Sequence, residues 1–238
     1  MKPICIIPAR SGSKRIKNKN IKILNGHPLI GFVINLAKKS KIFQDVIVST
    51  DSIKIAKIAK KYGAKVPFIR SRYLSDDYTP THLVVQNAVK LMNTYQTKYH
   101  FCIYPTSVLI NISDLKKAYT KIKKNNANFI CAISKFLNSP QRSFKILNNK
   151  LLFQYPKNQN KRSQDLEKLY YDTGSFYIYK TSSLMKLRKS QIIPKKSTFI
   201  DLKKELIDIN TMEDLKNLKK IIILSSSKLA FILINYFL

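Results

Sequence analysis

Hydrophobic residues along this chain follow two alternating patterns. Residues 3–8, 45–50, 99–104 and 128–133 are nearly continuous apolar runs, the pattern of strands buried on both faces of a parallel sheet. Elsewhere the spacing changes to i, i+3, i+4, i+7, in Ile30, Val33, Ile34 and Ala37, in Ile55, Ile58, Ala59 and Tyr62, in Val85, Ala88, Val89 and Met92, and in Leu115, Ala118, Tyr119 and Ile122. Each set is one apolar face of an amphipathic helix. Strands alternating with helices predict an α/β fold with a doubly wound, mainly parallel sheet, which binds ligands in the loops beyond the carboxyl ends of its strands. That rule selects residues 8–20, Thr50 with Asp51, and the Pro105-Thr106-Ser107 turn.

After Phe136 the alternation weakens. Residues 143–153 read as a hairpin with Asn148-Asn149 at its turn, and residues 175–179 as a further strand. The stretch from about 136 to 180 is therefore expected to form a small β-rich excursion, a separate lobe or a subunit contact. A helix is expected to begin near Met212, capped by Asn210 or Thr211, with Glu213 and Asp214 in its first turn favouring the helix dipole.

Length and composition suit one domain over residues 1–220, since 238 residues with 45% hydrophobic content carry no Pro/Gly/Ser-rich linker. Residues 221–224 and 229–234 are apolar runs separated by three serines and Lys228. A spanning helix needs about 20 mostly apolar residues, so the tail at 221–238 is expected to be a packing or subunit-contact segment, or a divergent end, and not a membrane anchor. No signal-peptide pattern opens the sequence, which places the expected site of action in the cytoplasm. Cys5, Cys102 and Cys131 lie in apolar runs without metal-ligand spacing and read as buried free thiols. The three histidines, His27, His82 and His100, read as structural or surface residues.

The charge is extreme, with 44 Lys and Arg against 13 Asp and Glu and a formal net charge of +31. Such a balance raises nucleic acid as a partner. The lysines, however, are scattered over nearly every polar stretch, and no stripe interleaves basic and aromatic residues as a single-strand groove requires. The excess is read as compositional, with no nucleic-acid partner. The alternative, a basic nucleic-acid-binding protein, predicts tight and steeply salt-dependent binding.

One basic cluster is placed differently. Ile7-Pro8-Ala9-Arg10-Ser11-Gly12-Ser13-Lys14 follows the first buried strand and continues with Arg15, Lys17, Lys19 and Asn20. Small residues allow backbone N–H groups to approach phosphate oxygens, arginine offers a two-pronged contact and lysine a point charge. The cluster lacks the GxxxxGK[ST] and GxGxxG patterns. On charge alone a phosphate cradle and a solvated basic turn remain equally open.

This loop, with Val48-Ser-Thr-Asp51, Pro67-Phe-Ile-Arg70, Leu74-Ser-Asp-Asp77, Tyr104-Pro-Thr106, Arg162-Ser-Gln-Asp165 and Asp172-Thr-Gly-Ser-Phe-Tyr177 in the same order, resembles the signature of the CMP-N-acetylneuraminate synthetase family of nonulosonate cytidylyltransferases. The matches cover roughly residues 3 to 215. The Arg-Ser-Gln-Asp and Asp-x-Gly-x-Phe-Tyr pair is most similar to the pseudaminic acid branch, since sialic acid enzymes usually carry Asn-Gly-Ala at the second place.

The resemblance implies a fold of the nucleotide-diphospho-sugar transferase type. It also implies transfer of CMP from CTP to the anomeric hydroxyl of an acidic nine-carbon sugar, with pyrophosphate leaving and Mg²⁺ or another divalent cation assisting. By similarity, Arg10 and Lys19 bind the triphosphate and stabilise the departing pyrophosphate, with Ala9, Ser11, Gly12 and Ser13 lining the loop. Asn20, Arg70, Tyr104, Pro105 and Thr106 hold the cytidine part, although Arg70 read by itself is a surface arginine. Arg162 and Gln164 approach the sugar, and Asp172 and Gly174 shape its pocket; by itself Arg162 also fits a local pair with Asp165 or Glu167. The family's magnesium-binding Asp-Ile-Asp is here Asp208-Ile-Asn210, so Asp208 is expected to carry the metal and the catalytic charge, with Asn210 as an uncharged ligand. The family's common assembly implies a homodimer. N-acetylneuraminate or another nonulosonate is the alternative substrate, and a nucleotide-binding homologue of impaired activity is the alternative role.

Overall fold

A computed structural model of the chain describes residues 1–204 and 206–224. Strand β1 (Ile4–Pro8) leads through the short pair β2 (Ile23–Leu24) and β3 (His27–Pro28) into helix α1 (Leu29–Ser40). Then come β4 (Asp45–Ser49), α2 (Ile53–Lys61), α3 (Thr81–Leu91), β5 (Tyr99–Ile103), α4 (Ile112–Lys124) and β6 (Phe129–Lys135). The hairpin β7 (Phe144–Leu147) and β8 (Lys150–Phe153) follows, then β9 (Tyr170–Lys180), α5 (Thr181–Leu184), β10 (Ser197–Asp201) and α6 (Met212–Leu224). The apolar runs and helical periodicities of the sequence thus map onto β1, β4, β5, β6 and α1 to α4, and the helix expected near Met212 is α6. Residues 225–238, most of the apolar tail, lie outside the described residues.

Six strands form one sheet in the order β10-β6-β9-β5-β1-β4. β1 pairs in parallel with β4 and β5, and β10 with β6, while β9 runs antiparallel to both its neighbours. The sheet is mainly parallel, as the alternation predicts. Side-chain alternation along β1 sorts its two faces. Cys5 and Ile7 join α1, α2, α4 and α6 in one core, whereas Ile4 and Ile6 pack with Val85, Val89, Leu184 and Leu187 on the opposite side. Helix layers on both faces explain why these strands read as unbroken apolar runs.

Local chemistry sets the helix ends. Asn111 accepts the Asp114 N–H at 2.9 Å and Asp114 accepts the Asn111 N–H at 3.0 Å, a reciprocal capping box that starts α4. Ser52 starts α2 by accepting from Ile55 N–H at 3.3 Å. Asn93 and Asn126, just beyond α3 and α4, take left-handed conformations, which asparagine tolerates. The expected turn of the hairpin has Asn148 at φ 49° and Asn149 at φ 60°, the pair of left-handed residues a two-residue hairpin loop requires.

One expectation is corrected and one strand is added. Residues 170–180, assigned to the excursion, are strand β9 in the middle of the sheet, so the excursion ends near residue 169. Tyr170 and Asp172 are exposed and break the apolar run at the front of this strand, which left only 175–179 legible. β10 was not anticipated, because its Ser-Thr-Phe-Ile-Asp stretch is a half-exposed edge strand without an apolar run.

Chain order places the cleft. From β1 the chain moves outward to β4 and then crosses back to β5 on the other side of β1. The loops after β1 and β5 therefore separate, and a ligand-sized crevice opens at their carboxyl ends.

Candidate active site

β1 ends at Pro8, and Ala9 N–H extends its pairing by donating to Ser49 O at 2.9 Å. Ala9 is fully buried and packs in the core. The chain then swings out, and Asp51 holds it: one carboxylate oxygen accepts Ser11 N–H at 2.8 Å and the other accepts Ser11 Oγ at 2.7 Å. From the opposite side the buried Asn20 amide donates to Arg10 O at 2.9 Å. The loop is thus fastened at both ends before any ligand arrives. A Cβ added to exposed Gly12 would meet nothing within 4 Å.

Arg10, Ser13, Lys19, Asn20, Arg70, Tyr104, Pro105 and Thr106, all expected to bind nucleotide, line one cleft of about 450 Å³. Lys14, Arg15, Asp76 and Asp77 join them there. Ala9, Ser11 and Gly12 do not line it: Ala9 is core, Ser11 is turned to Asp51, and Gly12 is open to solvent. Arg70 corrects the reading of a surface arginine, since it is only 4% exposed. Its Nε donates to Ser75 Oγ at 2.9 Å, and burial lowers its pKa, opposed by the nearby Asp51 carboxylate.

Lys19 ties the first loop to the far end of the chain. Its ammonium donates to Ile209 O at 2.7 Å, between Asp208 and Asn210. Burial lowers its pKa and the charge of Asp208 opposes that shift. Asn210 Nδ2 donates to Asp208 Oδ2 at 2.6 Å. Asp214 accepts the N–H groups of Asn210 and Thr211 at 2.8 and 2.6 Å, and Thr211 Oγ1 accepts Asp214 N–H at 3.1 Å, so this segment also caps α6.

The second Asp208 oxygen and the Asn210 amide oxygen have no hydrogen-bond partner among the described residues. A carboxylate and an amide oxygen are hard donors of the kind magnesium accepts when phosphates and water complete its shell. By donor type the two residues fit a divalent cation with one charged ligand, and ligation by Asn210 requires its amide to turn, since here its NH2 group faces Asp208. No group of three or more His, Cys, Asp or Glu side chains that could hold a metal occurs among the described residues. Asp208 also meets Gly174 and Thr106 around a narrow crevice, and Thr106 belongs to the main cleft as well.

A second cleft of about 620 Å³ lies beyond Thr81 and Tyr104, which line both. Thr81 Oγ1 and Tyr104 Oη are 2.5 Å apart. Its walls are mostly apolar, with Phe129, Tyr177, Tyr179, Ile192 and Phe199 among them. Asp172 is the acidic group in this lining; it accepts Tyr177 Oη at 2.5 Å and Gly174 N–H at 2.9 Å. Gly174 adopts φ +57°, a left-handed conformation that lets the chain fold back onto Asp172. The expectation of three buried thiols is corrected here, because Cys131 is only partly buried and lines this cleft. Sequence reasoning found Asp172 and Tyr104 but not the cleft. The usable signal was Tyr177 and Tyr179, two residues apart on a strand and so on one face.

Arg162 and Gln164 line neither cleft. Arg162 holds Asp165 through Nε at 2.7 Å and Nη2 at 3.1 Å, the local pair that its sequence also allows, on a side chain 73% exposed. The hairpin on the same excursion exposes Ile146 at 76% and Leu151 at 64%. The histidines are structural: His100 bonds Thr94 and Thr181, His82 bonds Arg188 O, and His27 bonds Tyr62. Among the described residues no helix is long and apolar enough to cross a membrane.

A family model described as cytidylyltransferase matches residues 4–232. The pseudaminic acid cytidylyltransferase of Campylobacter jejuni subsp. jejuni serotype O:2 is 41% identical over 219 residues, 91% of this chain and 94% of that one. The CMP-N,N'-diacetyllegionaminic acid synthase of Legionella pneumophila subsp. pneumophila is 30% identical over 90% of this chain and 93% of its own. In fold, the chain is similar to a solved CMP:2-keto-3-deoxy-manno-octonic acid synthetase complexed with CTP, with a TM-score of 0.71 at 15% identity, covering 94% of this chain and 100% of that one.

Proposed function

This chain belongs to the cytidylyltransferase family, and we propose that it transfers CMP from CTP to the anomeric hydroxyl of pseudaminic acid, releasing pyrophosphate. The observation that carries this reading is the adjacency of two unlike clefts. One is lined by Arg10, Lys14, Arg15, Lys19 and Arg70; the other is largely apolar, and they meet at Thr81 and Tyr104. A triphosphate needs the first. An acylated acidic sugar, with methyl groups as well as polar ones, suits the second.

In this reading the triphosphate lies against Arg10 and Lys19, and the cytidine part is held by Asn20, Arg70, Tyr104, Pro105 and Thr106. The sugar enters beyond Tyr104, where Asp172, placed by Tyr177 and Gly174, accepts one of its hydroxyl or amide protons. Its anomeric oxygen attacks the α-phosphorus as the hydroxyl gives up its proton to solvent water; the new O–P bond forms while the bond to the β-phosphate oxygen breaks, and the electron pair leaves on pyrophosphate. Arg10 and Lys19 stabilise the charge that builds on that leaving group. Lys19, held at Ile209 O, keeps this charge beside Asp208, so the phosphate loop and the C-terminal segment act as one site. Asp208 and Asn210 would hold the divalent cation, which when bound supplies further positive charge to the phosphate oxygens.

A homodimer in the cytoplasm completes the proposal. The apolar hairpin is the natural subunit contact, and docking it on a second copy is a route by which Arg162 and Gln164, remote from both clefts of their own chain, reach a sugar.

The test is pyrophosphate release from CTP and Mg²⁺ with pseudaminic acid, N-acetylneuraminate and a diacetylated legionaminic acid in parallel. Release fastest with pseudaminic acid is expected. Faster turnover of another nine-carbon acid reassigns the substrate, and no release with any of them overturns the reading.

A further inference from the structure

We propose that Asp77 is a built-in counter-ion of the phosphate cleft, which competes with bound pyrophosphate for Arg10 and Lys14 and so speeds its departure. The inference rests on the reading of that cleft as the triphosphate site and adds a residue which that reading leaves without a role.

The two Asp77 oxygens are divided between the two cations: Oδ1 pairs with the Arg10 guanidinium and Oδ2 with Lys14 Nζ at 2.7 Å. Asp77 lines the cleft, and its side chain is 30% exposed. Its position is set by its loop. Asp76 accepts Tyr78 N–H at 3.0 Å and Thr79 N–H at 2.6 Å, Thr79 Oγ1 donates to Tyr73 O at 3.2 Å, and Ser75 Oγ donates to Ser71 O at 2.9 Å while accepting from Arg70. These bonds fold the segment between Arg70 and α3 on itself, and the two Asp77 pairs are what join it to the phosphate loop. Lys14 and then Arg10 keep the Asp77 carboxyl below the usual carboxylate range, so it remains charged near neutral pH. In a chain with 44 basic and 13 acidic residues, this carboxylate occupies the position on Arg10 and Lys14 that a phosphate oxygen would take.

An ion pair this accessible to water is weak, so a triphosphate, with several charges, displaces it. The displaced carboxylate remains tethered beside the same cations at high effective concentration. It adds repulsion while phosphate is bound and takes back Arg10 and Lys14 as pyrophosphate loosens. Without it, the two cations have no internal competitor.

Calorimetric titration of the full chain with inorganic pyrophosphate and Mg²⁺ tests this. Asp77→Asn is expected to tighten pyrophosphate binding about tenfold, the equivalent of two exposed pairs, and to strengthen product inhibition while lowering kcat. Asp77→Ser repeats the removal with a smaller side chain, and Asp77→Glu, which keeps the charge, is expected to stay near the unaltered protein. Asp45→Asn removes a carboxylate paired with Lys65 elsewhere on the surface and is expected to change nothing. Unchanged or weaker pyrophosphate binding in both Asp77→Asn and Asp77→Ser overturns the inference, as does an equal gain in Asp45→Asn, which would make it an effect of net charge. If the unaltered protein binds neither CTP nor pyrophosphate, the cleft assignment fails with it.

Discussion

The two clefts meet at Thr81 and Tyr104 but are built on different principles. The phosphate side is fastened by directional bonds before a ligand arrives, with Ser11 on Asp51, Asn20 on Arg10 O and Lys19 on Ile209 O. The other side is formed by the packing of β6, β9 and β10, and its margin exposes Ile192 at 66% and Phe199 at 48%. A site for a highly charged ligand gains from donors fixed in advance, because reorganising them would consume binding energy. A site for a partly apolar ligand gains from contact area, which a cover supplied by the ligand or a second copy completes.

The largest expected effect is on the polar side. Lys19→Ala is expected to lower kcat/KM by about a thousandfold, the scale of losing a preorganised charge stabiliser, while unfolding midpoints stay close to the unaltered value. Steady-state kinetics with a melting curve check this, and a loss below tenfold would remove Lys19 from the phosphate site. Next is the hairpin. Replacing Ile146 and Leu151 together by lysine is expected to weaken self-association by about a hundredfold, from two apolar side chains denied burial. Sedimentation at several protein concentrations reads this, and an unchanged distribution would show that the hairpin is not the subunit contact.

A smaller effect separates the clefts. Tyr177→Phe leaves Asp172 without its hydroxyl donor and is expected to raise the KM of the sugar about tenfold with the KM of CTP unchanged. Equal rises in both constants would collapse the distinction between the sites. The effect furthest from the chemistry lies behind both. His100, buried between Thr94 and Thr181, has its pKa lowered by desolvation from 6.5 to about 4. Its folded pKa is below the unfolded one, so its contribution is fully present above pH 6.5 and is lost as pH falls towards 4, by up to about 3 kcal/mol. His82, lowered in the same direction by burial, adds to the slope. Denaturant unfolding across this range should steepen accordingly, and His100→Gln should flatten it without altering either KM.

Legibility followed the range of the interactions. Cys5, Ile6 and Ile7 announce a buried strand because every residue there faces a helix layer, and the loop after it is recognisable because its residues are consecutive. Arg162 is a local case as well, since the partner it holds, Asp165, lies three residues away. Arg70 shows the converse: a lone arginine between polar residues reads as surface, and only the fold of residues 71–79 over it makes it 4% exposed. β9 was half visible because its exposed first residues interrupt the apolar run, and β10 was invisible because an edge strand needs burial on one face only.

From its order of residues alone, this protein has its buried strand segments and amphipathic helices, the cap of its last helix, its Asn148-Asn149 turn and a basic loop at the end of the first strand, since each depends on neighbours within a few positions. Contacts across long chain separations were decided only in three dimensions. Lys19 reaches Ile209, 190 residues away, Arg10 meets Asp77 across 67, and strands far apart in sequence enclose the apolar cleft. Local periodicity cannot specify such partners, because they are chosen by the way the sheet and its two helix layers pack together.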